Sequence, residues 1–153
     1  MSEVQLRPAR LDEADSLSEL CARSKAVWGY DEAFMKAVTP HLRVREEAIR
    51  AGFATVAESD QGEVLGVCQI DPGSEHGTLD LLFISPTAIG LGVGKLLFEH
   101  AKDLLRARGE TVMTILSDPY AEQAYLHMGA KRVAMRPSDV FEGRELPWLE
   151  VEL

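Results

Sequence analysis

Ile84-Ser85-Pro86-Thr87-Ala88-Ile89-Gly90-Leu91-Gly92-Val93-Gly94-Lys95 decides how this chain is read. Before the loop, residues 79–84 are a nearly unbroken apolar run with one charge, Asp80, as expected of a central strand covered on both faces. After it, Val93, Leu96, Leu97, Ala101, Leu104 and Leu105 keep to one helical face until Gly109. A buried strand thus passes through three alternating glycines straight into an amphipathic helix. The first N–H groups of a helix lack partners, its dipole adds positive potential, and glycine lets a phosphate approach the main chain. The loop reads as an anion site, against the plainer alternative of a tight turn that needs glycine only for its dihedrals.

Two common phosphate loops are excluded by single residues. A Walker A loop needs glycine where Ile89 stands and Ser or Thr where Leu96 stands. A dinucleotide fingerprint starting at Gly90 needs Gly or Ala at Lys95, and the remaining chain is too short for the βαβ array around it.

Outward from the loop, the pattern gives an α/β or α+β mixed sheet in the order β-α-α-β-β-β-α-β-α-β-β, flanked by about four helices. Residues 4–8 alternate as a strand, and Asp12 opens a helix carrying Leu17, Leu20, Cys21 and Ser24 until Gly29. Asp31 caps a second short helix, and a charged helical segment spans 43–50. Strands at 53–58 and 64–70 are joined by Asp60-Gln61-Gly62. A strand at 111–116, a helix at 119–128 and strands at 131–136 and 145–152 complete the chain. With 153 residues, 46% hydrophobic, and no repeat or linker, one domain over 1–153 is expected.

Composition narrows the partners. No long apolar run and no secretory leader pattern is present, which predicts a cytoplasmic protein without a membrane partner. A net charge of −9 argues against nucleic acid. Only residues 87–136 are net positive, with 7 Lys and Arg against 5 Asp and Glu, so a phosphorylated cofactor fits there and the acidic remainder suits an amine. Cys21 and Cys68 lie in apolar stretches, and His41, His76, His100 and His127 are scattered without ligand spacing, so no metal is expected.

A second segment extends the reading: Asp118-Pro119-Tyr120-Ala121-Glu122-Gln123-Ala124-Tyr125-Leu126-His127-Met128-Gly129-Ala130. Together the two segments resemble the GCN5-related N-acetyltransferase (GNAT) superfamily. Gly92 and Gly94 fill the glycine positions of its Gln/Arg-x-x-Gly-x-Gly/Ala loop, with Ile89 in place of the usual Gln or Arg. Ala121, Tyr125 and Gly129 fall in register with its later Asn-x-x-Ala-x-x-x-Tyr-x-x-x-Gly motif, with Asp118 in place of Asn.

The resemblance implies an acyltransferase that moves acetyl from acetyl-CoA to a primary amine by direct attack in a ternary complex; the acidic composition, without a basic or extended docking segment, favours a small-molecule acceptor. Residues Ile89, Gly90, Leu91, Gly92, Val93, Gly94 and Lys95 would hold the diphosphate, and Leu82, Phe83, Ile84, Asp118 and Ala121 the pantetheine arm. Tyr125 would lie near the sulfur and donate a proton to it, with core packing as the alternative. Asp80, placed with Leu82 and Ile84 on one face, would be the base, with burial raising its pKa. A paired structural carboxylate or an edge-exposed residue is the alternative, and a base acting through water or no base at all stays open. Trp28 and Tyr30 would wall the acceptor pocket, unless they are ordinary packing. Arg144 and Trp148 stand out without an assigned role. A protein lysine or N-terminal acetyltransferase, a non-catalytic acyl-CoA sensor, and an interaction domain stay open, as does a homodimer.

Overall fold

The computed structural model describes residues 3–73 and 76–153. Among the described residues seven strands form one sheet in the order β1-β2-β3-β4-β5-β7-β6. They are β1 (Val4–Pro8), β2 (Ala54–Ser59), β3 (Val64–Asp71), β4 (Gly77–Ile84), β5 (Val112–Leu116), β6 (Lys131–Pro137) and β7 (Glu145–Glu152). Helices α1 (Ala14–Ala26), α2 (Glu32–Val38) and α3 (Glu46–Arg50) precede β2, while α4 (Val93–Ala107) and α5 (Glu122–His127) flank β5. The expected order is observed, with the charged segment contributing a one-turn α3 as a fifth helix.

Each face of the sheet has its own core. On one side Val93, Leu97, Phe98, Ala101 and Leu105 of α4 and Tyr125 of α5 pack on Cys68, Ile70, Leu79, Met113 and Leu149. On the other, Leu17, Leu20 and Cys21 of α1 with Val38, Val44 and Ile49 pack on Val56, Val67 and Leu81. The buried stripe of α4 includes Phe98 and excludes Leu96, which is exposed, a correction to the helical face read from the sequence. At the amino end Arg7 on β1 donates to both oxygens of Glu13 at 2.8 Å and to Glu58 on β2 at 2.9 Å, fastening the start of α1 to the sheet edge. The Arg7 guanidinium holds the Glu13 carboxyl below the usual carboxylate range.

Two irregularities in β4 shape the centre of the molecule. The first is a shift in register: Gln69 pairs with Leu81 and Ile70 with Leu79, leaving Asp80 as the extra residue of a bulge. Parity reverses there, so Leu79 faces α4 while Leu81 faces α1. The second is the junction with β5, the one parallel pairing of the sheet, which consists of Gly77 with Met113 and Thr78 with Thr114. Beyond these two pairs the strands diverge into a fork. At its closed end α4 presses on the sheet so tightly that a Cβ on Gly77 would come within 2.4 Å of Leu105.

Candidate active site

A fork between parallel strands leaves backbone groups and side chains of both strands facing a gap. One cavity lies in it and a second adjoins it along β4. One, of about 330 Å³, is bordered by Leu79 to Phe83 of β4, the end of β5 with Ser117 and Asp118, and the β6–β7 loop residues Ser138, Asp139 and Val140. The other, of about 290 Å³ and more apolar, runs from Ile89 and Gly94 along Leu82, Phe83 and Ile84 to Ala124 and Met128. Trp28, Leu82, Phe83, Ala121 and Tyr125 line both, so the cavities meet at these side chains.

The glycine loop stands at the outer end of the apolar cavity. Gly90 and Gly92 have φ of 89° and 78°, a left-handed conformation that side chains strain to adopt. A Cβ on either would meet nothing within 4 Å, so backbone conformation, not crowding, demands glycine. Gly92 is the N-cap of α4, and its carbonyl accepts from Leu96 N at 3.2 Å. The N–H groups of Val93, Gly94 and Lys95 belong to the first helical turn, which has no intrahelical acceptors for them. Gly94 lacks positive φ, and a Cβ there would only touch Ile84 at 3.8 Å. Ile89, where a polar residue was expected by resemblance, is 63% exposed beside this turn.

Tyr125 is buried in α5 with its ring 6.0 Å from Phe98. Burial pushes its phenol well above the ordinary tyrosine range, helped by the negative potential of Cys68 and Asp118. Helix α5 is shorter than expected: Asp118 accepts from Tyr120 N at 2.8 Å and Ala121 N reaches the Asp118 carbonyl at 3.0 Å, so a turn occupies 118–121.

The family model of the acetyltransferase (GNAT) domain matches residues 13–147. The chain belongs to the GNAT family. Solved structures agree on the fold. The GCN5-related N-acetyltransferase of Rhodopseudomonas palustris superposes with a TM-score of 0.80 at 20% identity, covering 100% of this chain and 98% of that one. PaiA N-acetyltransferase of Thermoplasma acidophilum, in complex with coenzyme A, gives 0.79 at 14% identity and 99% of both chains. The yncA structure from Salmonella typhimurium with its cofactor acetyl-CoA gives 0.70 at 18% identity, with 99% and 95% covered. A search of curated sequences found no match.

In this GNAT domain Asp80 departs from its expected setting. The bulge turns it away from the face of Leu82 and Ile84, and its side chain is 43% exposed instead of buried. It lines the polar cavity and accepts from Gln69 Nε2 at 2.7 Å, with Arg45 at 3.9 Å. Gln69 is wholly buried and also receives Arg45 N at 3.0 Å.

Trp28 lines both cavities, whereas Tyr30 is not among the residues lining either. Tyr30 donates to Asp118 at 2.8 Å, receives Arg144 Nη2 at 3.0 Å and stacks on Phe34 at 3.9 Å. Burial, reinforced by the Asp118 carboxylate, raises its phenol to about 12. Lys25, unremarked in the sequence reading, donates to Asp118 at 2.8 Å. A signal existed, since Leu17, Cys21 and Lys25 share the buried stripe of α1 at steps of four. Among the described residues no group of three or more His, Cys, Asp or Glu is placed to hold a metal ion, and no helix is long and apolar enough to cross a membrane.

Proposed function

We propose that this GNAT acetyltransferase uses acetyl-CoA to acetylate a primary amine of a small molecule, by direct attack in a ternary complex. The observation carrying this reading is the position of Tyr125, on the boundary shared by an apolar cavity that begins at the glycine loop and a polar one that holds Asp80. The glycine-loop residues suit the cosubstrate: a diphosphate needs converging N–H donors and no Cβ in its path, and the turn from Ile89 to Lys95 offers both. Leu82, Phe83, Ile84 and Ala121 would border the pantetheine arm. When bound, acetyl-CoA supplies an acyl group already activated as a thioester.

The chain's own groups then divide the proton work. Asp80, held by Gln69, receives the proton released from the amine as the N–C bond forms. Tyr125 gives its phenolic proton to the sulfur as the C–S bond breaks, and β4 main-chain groups at the fork polarise the carbonyl. Trp28 narrows the junction where amine and thioester meet. Asp80 and Asp139 lie on the wall of the polar cavity, which favours a cationic acceptor, and about 330 Å³ suits a small molecule.

The test is a thiol-release assay with acetyl-CoA over a panel of small primary amines and peptides, with calorimetry for cofactor binding. Release with at least one small amine and none with peptides is expected. Calorimetric heat without release for any amine would leave a binding protein instead of an enzyme.

A further inference from the structure

Asp118 stands where the resemblance implied a contact to the pantetheine arm, yet both its carboxylate oxygens already accept hydrogen bonds from within the protein. Its side chain is 6% exposed. One oxygen takes Lys25 Nζ at 2.8 Å and the Tyr30 hydroxyl at 2.8 Å; the other takes Tyr120 N at 2.8 Å. Its carbonyl receives the Ser117 hydroxyl at 2.8 Å, and Arg144 approaches the carboxylate to 3.9 Å. A ligand amide would compete with these donors for a carboxylate that is nearly closed off from solvent.

The donors come from α1, from the α1–α2 turn and from the turn at 118–121, and Arg144 of the β6–β7 loop joins them by donating to the Tyr30 hydroxyl at 3.0 Å. That loop is held by little main-chain pairing, chiefly Ser138 N to Arg144 O at 2.7 Å. Its other anchors are side chains: Arg144 lies 5.5 Å from the Tyr30 ring centre and 5.0 Å from that of Phe34, and Phe141 stacks on Phe34 at 4.6 Å. Ser138, Asp139 and Val140 of the same loop wall the polar cavity, and none of the loop borders the glycine-loop end.

From this geometry we infer that Asp118 is a positioning residue for the acceptor side: it neutralises Lys25 and orients Tyr30 so that Arg144 pins the β6–β7 loop over the polar cavity. It serves the acceptor, not the cofactor. The inference rests on the proposed transferase reading only for its kinetic arm.

Two variants test it. Asp118→Asn removes the charge and introduces the amide that the family motif carries; Arg144→Gln cuts the loop tether at a residue that is 24% exposed. Both should raise the acceptor KM, by about tenfold and several-fold respectively, with acetyl-CoA Kd within about twofold of the parent. Both should also speed amide hydrogen exchange across residues 138–144, a readout that needs no turnover. Asp118→Asn shifting acetyl-CoA Kd as much as the acceptor KM would restore the cofactor role and overturn the proposal. So would unchanged exchange in 138–144 for both variants. Failure of the parent protein to turn over any amine would strike the function reading alone, since the exchange and cofactor arms still decide the role of Asp118.

Discussion

The two ends of the fork are built on opposite principles. The glycine-loop end uses main chain: a continuous segment from Ile84 to Lys95, two left-handed glycines and the first turn of α4. The acceptor end uses side chains that are distant in sequence, with Lys25 and Asp118 separated by 93 residues and Tyr30 and Arg144 by 114. A main-chain site tolerates almost any neighbouring side chain but no change of backbone. A side-chain site inverts this, because the backbone can drift while a single lost charge strands its partners. Within one fold, the first arrangement suits a constant ligand and the second suits one that varies.

Tyr125 joins the ends, so the largest effect is expected there. Tyr125→Phe should lower kcat by about a hundredfold or more, the usual range for a lost general acid, while acetyl-CoA Kd holds. Unchanged turnover in steady-state assays would take the phenol out of the chemistry. Next comes the main-chain end. Gly92→Val forces a β-branched residue into φ of 78°, a strain of about 3 kcal/mol, which corresponds to roughly a hundredfold loss of acetyl-CoA affinity by calorimetry. The comparison breaks if that variant binds normally.

At the acceptor end, Asp80→Asn should reduce kcat/KM for the amine about tenfold at neutral pH and less at alkaline pH, where the amine arrives unprotonated. Equal losses at both pH values would show that Asp80 takes no proton.

The smallest effect concerns stability. Burial raises the thiols of Cys21 and Cys68 to about 12, from an ordinary value of 9.0. Below pH 9 both are protonated in folded and unfolded chains and add no pH dependence. Above it the unfolded thiols ionise first, so the unfolded state binds fewer protons and stability falls toward pH 12. Each cysteine contributes on the order of 1 kcal/mol per pH unit in that window. Urea midpoints at pH 8, 9 and 10 should show the decline, and Cys21→Ala should shallow it.

Periodicity made the succession of strands along the chain, α1, α2 and α4 legible, because each follows from apolar spacing and nearby stop signals. The glycine loop's turn into α4 was legible for the same reason: its geometry resides in consecutive residues. Asp80 was misplaced because a bulge is a relation between two strands, and nothing in residues 79–84 alone reveals that Gln69 and Ile70 skip it. Asp118 was read against a motif, while its partners lie on three other elements. Arg144 and Trp148 drew notice, but only folding brings Arg144 onto the Tyr30 and Phe34 rings and Trp148 under Arg136.

Where β4 and β5 share only two register pairs, the sheet behaves as two boards nailed at one end, with the missing methyl of Gly77 setting how flush the nail sits under α4. Anything wedged in the open end braces both boards at once. Melting temperature should therefore climb with the logarithm of wedge concentration once its dissociation constant is exceeded. Desulfo-coenzyme analogues that cannot react would rigidify the assembly as well as those that can.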